Sequence, residues 1–276
     1  AQPPAPSVDA EAENNATVVE YMPDICDQLF ARERSGMCQP TYMDGQKGNL
    51  NGKMRAILVD WLVDVHARYR MRKETLFLTV NLIDRYLSRA VVERKRLQLV
   101  GVVALFIAAK FEEIDPPKVA EFAHITDDTY TKAEILSSEC VVLGALDFEL
   151  VTPTQAHFFE RLARANGCDA QHRFLAQYCM ELGLLDIRTL RYAPSLLVSA
   201  ALLLSNELLG RRSVWPAMMV HHARRRDTDP EMVACAQSLR AMLDQAPRAS
   251  LQAVRRKYQH ERYAGVANLA LAGLAS

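Results

Sequence analysis

Two stretches of this chain are apolar on nearly every side over helical length, residues 97–114 and 195–209. A helix on a protein surface shows one apolar stripe, whereas a helix apolar all round must be enclosed by neighbours. The first stretch carries Gly101, Ala104, Ala108 and Ala109, small residues that let those neighbours come close; the second also has small residues inside it. Their continuous apolar runs, Leu99–Ala109 and Leu196–Leu204, are far shorter than the ~20 residues that span a bilayer. They read as the centres of two packed units.

The surrounding sequence supplies the wrapping. From Lys53 onward Met54, Ile57, Leu58, Trp61, Leu62 and Val65 recur at spacings of three and four, and Leu76–Leu87 repeats that spacing. Pro116-Pro117 stops the first central helix, and Thr131–Glu134 has capping-box spacing and opens a helix to about Ala145. Val151-Thr-Pro-Thr breaks the pattern. A second set follows over Gln155–Ala165, Gln171–Leu185, Pro194–Leu209, Trp215–Arg225 and Pro230–Leu243. No alternating strand pattern occurs. The fold class is therefore all-α: two tandem five-helix units, residues 51–150 and 151–248, preceded by a short N-terminal helix. That helix, Tyr21–Arg34, and a Gly- and Pro-bearing loop fill residues 21–50. Residues 1–20 read as a flexible tail, and 249–276 follow the second unit as a C-terminal tail.

Charge narrows the function. Lys plus Arg and Asp plus Glu number 33 each, so no long-range field gathers nucleic acid or an anionic membrane. The first twenty residues hold no Lys or Arg, unlike a secretory signal or a mitochondrial presequence. The six cysteines, with no CxxC pair, read as reduced thiols in a cytosolic or nuclear setting. The sequence has no GxGxxG, no GxxxxGK[ST], no GxSxG and no HExxH. His221 and His222 are adjacent, so on a helix they diverge by ~100° and make a poor metal pair. Glu112-Glu113 diverge likewise. Arg224-Arg225-Arg226 reads first as a solvated helix end and second as a nucleic-acid or import patch. No catalytic set, metal or cofactor is expected; what remains is surface.

The ordered segments then carry a resemblance. MRAILVDWLVDV (Met54–Val65), LQLVG (Leu97–Gly101), AKFEEIDPPKVAEF (Ala109–Phe122), ITDDTYTK (Ile125–Lys132) and LDFELVTPT (Leu146–Thr154) resemble successive segments of a cyclin box. YAPS (Tyr192–Ser195) and KYQHERYAGVANL (Lys257–Leu269) are similar to a second box and its tail. The wording FEEI, VAEF and ITDDTYTK stands closer to A-type than to B-type cyclins. The resemblance implies two five-helix boxes and a partner, a cyclin-dependent Ser/Thr kinase. This chain would activate the kinase allosterically, in the nucleus and cytoplasm, without being an enzyme itself. The matching kinase-binding positions are Ile25, Ile107, Lys110, Phe111, Glu139, Leu143, Phe148 and Leu150, with Lys110 and Glu139 expected to pair. Gln28 stands where relatives carry Tyr. Arg55 and Asp84 match a buried structural ion pair.

The resemblance also implies a groove that docks Arg-x-Leu peptides of substrates or inhibitors. Met54, Leu58 and Trp61 lie on one stripe of the first box helix and are expected to be partly exposed; Ile57, Leu97 and Gln98 join them, and Asp60 and Asp64 would face the peptide's Arg. Ile57, Leu62 and Val65 form a neighbouring stripe that could fill the core. Asp64 replaces the Glu of A-type relatives, and Arg68 stands where they carry an acid, so an Asp64–Arg68 pair is expected to weaken docking. Arg94–Leu97 and Arg240–Leu243 have RxxL spacing but fall in helical segments, so they offer no visible destruction signal. Two rivals remain: a cyclin-box transcription factor, which calls for a basic face, and an enzyme on a helical scaffold, which calls for a catalytic set.

Overall fold

The structure is a computed structural model and describes residues 19–272. The expected tail lies outside these residues up to position 18. Helix α1 spans Met22–Arg32. The first unit then comprises α2 (Gly52–Arg68), α3 (Lys73–Arg89), α4 (Leu97–Glu112), α5 (Val119–Ile125) and α6 (Lys132–Ala145). The second comprises α7 (Gln155–Ala165), α8 (Ala170–Leu185), α9 (Pro194–Leu208), α10 (Ala217–His222) and α11 (Pro230–Gln245); α12 (Ala253–Gln259) and α13 (Val266–Ala272) follow. Among the described residues there is no strand.

The two apolar segments are the central helices. In α4 every residue from Leu99 to Ala109 is buried, and α2, α3 and α6 pack around it. In α9 burial runs from Pro194 to Asn206, within α7, α8 and α11. Proline at the first position of α9 removes an amide that would have had no helical partner. Gly101 sets the α2–α4 approach: a Cβ there would stand 2.6 Å from Leu58 Cδ1. The Asn51 side chain accepts the Met54 amide to start α2, and Thr131 with Glu134 forms the expected capping box on α6.

Several boundaries differ from the sequence reading. Helix α5 was not anticipated; seven residues are too few to print a periodic stripe. Residues 35–50 hold a turn of 3₁₀ helix, Pro40–Gln46. Its buried Gln46 donates to the Leu87 and Ala90 carbonyls at 2.6 and 2.7 Å and accepts from the Val92 amide at 2.9 Å. Helix α10 is shorter than expected, because Pro216 precedes it and Arg224 turns left-handed (φ 56°) just after it.

Three buried polar links join distant parts of the chain. Arg55 of α2 donates to both Asp84 oxygens (2.6 and 2.7 Å) and to the Leu184 carbonyl of α8 (2.8 Å), while Tyr42 donates to Asp84 at 2.7 Å. Glu33, at the end of α1, accepts from the Ser195 amide and hydroxyl, both at 3.0 Å, at the N-terminus of α9. Glu181 of α8 accepts from Lys257 Nζ (2.6 and 2.8 Å) and from the Tyr258 hydroxyl (2.8 Å), which seats α12 against α8 and α2.

His66 sits near this last link. Its Nε2 lies 2.9 Å from the Arg72 carbonyl, while its buried Nδ1 has no hydrogen-bond partner. Burial, and then the Lys257 charge, hold its pKa down to about 4 from 6.5. The unfolded chain therefore takes up this proton first as pH falls, and stability contributed by neutral His66 is lost between pH 6.5 and about 4. Denaturant titrations should show a loss of about 2 kcal/mol from this group between pH 7.5 and pH 5. A His66→Gln variant should lack that part of the pH slope; an unchanged slope would assign it to other groups.

Candidate protein-binding faces

The first face is built where α4 ends. Lys110, in its last turn, forms an ion pair with Glu139 of α6, and its ammonium lies 4.3 Å from the centre of the Phe106 ring. Glu139 is buried while the Lys110 side chain is 43% exposed, so an interior acid holds an outward-facing cation. Phe111 follows, half exposed, and Ile114 is 99% exposed. An apolar side chain left in water beside an aromatic is a feature of contact surfaces.

The segment after α6 adds to this face through a strained backbone. Asp147 and Phe148 are both left-handed (φ 55° and 56°), which costs roughly 1–2 kcal/mol per residue for side chains with a Cβ. Local bonds offset that strain. The Phe148 amide donates to the Leu143 carbonyl at 2.9 Å, Arg89 donates to the Ala145 carbonyl (2.7 Å) and Asp147 (2.8 Å), and Arg85 donates to the Glu149 carbonyl (2.8 Å). The result holds Phe148 70% exposed, with Leu143 and Leu150 half-buried around it. Further along, Ile25 of α1, Tyr21, Leu29, Val151 and Pro153 line a cleft of about 330 Å³, and Gln28 stands beside Ile25 there.

One expected member of this face is not on the surface. Ile107 is 2% exposed and belongs to the core beneath α4, so it supports Lys110 and Phe111 from within. Sequence reasoning also missed Ile114, Val151 and Tyr21. The available signal for Ile114 was its place between the end of α4 and Pro116-Pro117, where no helix remains to bury it.

The second face is the outer side of α2. Ile57 is half exposed, and Met54, Trp61 and Gln98 are partly buried. Leu58 is not exposed as the stripe predicts: it is 6% exposed and pressed against Gly101, and Leu97 of α4 is 8% exposed. Leu62 and Val65 are core, whereas Ile57, which could have joined them there, faces out. Trp61, Asp64, Arg68, Tyr69 and His124 line a cleft of about 200 Å³. The acidic end also differs from expectation. Asp64 pairs with Arg256 of α12 at 2.6 Å, not with Arg68, and Asp60 accepts from the Ala253 amide at 2.9 Å. Burial raises the Asp60 pKa, with the Ala253 amide acting against it.

Among the described residues no group of three His, Cys, Asp or Glu side chains could hold a metal, and no helix is long and apolar enough to cross a membrane. Two tandem helical units carry braced apolar and charged faces on their outer sides. The cyclin N-terminal domain profile matches residues 24–151, and the cyclin C-terminal domain profile matches residues 153–271. The chain belongs to the cyclin family.

Over 250 residues it is 40% identical to the G2/mitotic-specific cyclin-B of Marthasterias glacialis, covering 91% of this chain and 63% of that protein. Over 206 residues it is 46% identical to the G2/mitotic-specific cyclin cdc13 of Schizosaccharomyces pombe, covering 75% and 42%. The chain thus spans between 42% and 63% of the length of these curated relatives. A viral cyclin from herpesvirus saimiri shares the fold, with a TM-score of 0.69 at 19% identity over 80% of this chain and 96% of that one. Both curated relatives named here are mitotic cyclins, the first of them B-type, so the A-type wording of the short motifs does not decide the subtype.

The burial difference on α2 is measurable. Leu58→Ala should destabilise the fold by about 2–5 kcal/mol, as for a leucine in a packed core. Ile57→Ala should stay within about 0.5 kcal/mol of the parent, as for a surface site. Equal effects in urea titrations would contradict this assignment of floor and rim.

Proposed function

We propose that this chain is the regulatory subunit of a cyclin-dependent Ser/Thr protein kinase and acts in mitotic cell-cycle control. Membership of the cyclin family supports the partner class. The observation that carries the reading is the Lys110–Glu139 pair, a cation braced by a buried acid, with Phe111 exposed at the next position and Phe148 exposed just past α6. Such a surface suits a partner helix that brings apolar side chains and backbone carbonyls to the same place.

The mechanism is allosteric. A kinase whose active arrangement fits this face better than its inactive one is shifted toward the active state by the difference in the two affinities. The kinase supplies the groups that transfer phosphate; this chain supplies none. The α2 face is a second, substrate-recruiting site, with Trp61 and Ile57 as apolar contacts and the Asp64 end meeting a basic residue of an Arg-x-Leu peptide. Six cysteines with no CxxC pair suit the reducing nucleus and cytoplasm, where this reading puts its work.

The test is activation of a purified cyclin-dependent kinase by the parent chain and by two variants. Phe111→Ala should weaken complex formation by more than about tenfold, the loss typical of an aromatic anchor. Lys110→Ala should abolish activation while the circular dichroism stays helical, because Lys110 is half in water and its loss leaves the apolar packing of α4 intact. Activation equal to the parent by both variants would place the kinase elsewhere on this chain.

A further inference from the structure

Helix α2 offers two carboxylates one turn apart, and α12 answers both. Asp60 accepts the first amide of α12, that of Ala253, at 2.9 Å, and Asp64 Oδ2 accepts from Arg256 Nη2 at 2.6 Å. The two contacts differ in kind. The first joins a half-buried carboxylate to backbone, whereas the second is a half-exposed pair between side chains. Helix α12 does not depend on the second for its seat. Lys257 and Glu181 are almost completely enclosed where they meet, and the fully buried Tyr258 hydroxyl bonds the same carboxylate. The Arg256 guanidinium can therefore leave Asp64 while α12 stays in place. Asp64 in turn lies on the rim of the cleft lined by Trp61 and Tyr69.

We propose that Arg256 is an intramolecular competitor at this cleft: its guanidinium occupies the Asp64 carboxylate and lowers the affinity of the α2 face for peptides that bring their own arginine. The proposal rests on the docking reading given above and adds the device that tunes it. A guanidinium held on the same chain is always present at its target, so an incoming basic residue must displace it before it contributes. Exposed pairs of this kind are weak, so the competitor raises a threshold without closing the site. The effect is selective, because a peptide with the same apolar residues and no arginine has no use for Asp64 and meets no competition.

The experiment titrates the full chain with two synthetic peptides, one bearing Arg-x-Leu and one bearing Ala-x-Leu. Arg256→Gln should bind the arginine peptide about two- to fivefold more tightly than the parent at low salt, and less so at high salt. It should bind the alanine peptide equally well. Arg256→Lys, which keeps the charge, should stay close to the parent. Adding Asp64→Asn to Arg256→Gln should abolish the gain. Thermal unfolding within a few degrees of the parent reports that α12 has kept its seat; if it has not, comparing the parent with Arg256→Lys and Asp64→Asn alone still separates charge from structure. Measurable parent binding with no gain in Arg256→Gln, or a gain that survives Asp64→Asn, overturns the competitor. Failure of every protein to bind either peptide at millimolar concentration overturns the docking reading, and the competitor with it.

Discussion

A guanidinium sealed from water must have its charge answered inside the protein, and Arg55 is in that position. Burial works against its charged form, Asp84 more than compensates, and its pKa ends above the ordinary value. The same burial, with Asp84 beside it, drives the Tyr42 pKa upward, which keeps the phenol protonated as a donor to Asp84. Four parts of the chain meet there: the 3₁₀ turn before α2, then α2, α3 and α8. Such a pair adds little net stability compared with a well-packed apolar substitute. What it fixes is geometry, because each partner is tolerable only when the other is in place.

Both candidate faces hang from the helices fixed at this point. Helix α3 turns Asp84 inward, and the next residue, Arg85, together with Arg89 one turn on, holds the 145–149 segment on its other side. That segment keeps Phe148 in a left-handed conformation and in water. Helix α2 turns Arg55 inward and presents Ile57, Trp61 and Asp64 outward. The faces exist before any partner arrives, so a partner need not supply the entropy of assembling them. The N-terminal helix is added by Glu33 reaching the start of α9, and the C-terminal extension by Glu181 receiving Lys257 and Tyr258.

The central helices were legible because Leu99–Ala109 and Leu196–Leu204 leave no polar face, and a pattern that strong survives any tertiary context. Lys110–Glu139 and Arg55–Asp84 were legible only through resemblance, since nothing in spacing joins residues 29 apart on two different helices. The α2 stripe misled at Leu58. Period alone cannot say which of two adjacent stripes faces a neighbour, and the deciding residue, Gly101, lies on another helix. Arg68 misled in a similar way. It stands one turn from Asp64, where local rules favour a pair, yet the cation that reaches Asp64 is Arg256, 192 residues on. Helix α5 was too short to print a period, and Ile107 was placed on a surface by likeness when its all-apolar helix had already marked it as core.

The buried Arg55–Asp84 pair, through the Arg55 bond to the Leu184 carbonyl, couples the two units beside the apolar seam of Val59, Val63 and Phe77. The chain provides a reporter in each unit, because its two tryptophans, Trp61 and Trp215, lie one in the first and one in the second. Equilibrium unfolding of Asp84→Ala, followed through single-tryptophan versions of each, measures this coupling directly. Both reporters should lose stability together by about 3–5 kcal/mol, the effect of stranding a buried charge. A loss confined to Trp61 would show that the pair does not couple the units, and one below about 1 kcal/mol at both would show that it does not constrain the fold.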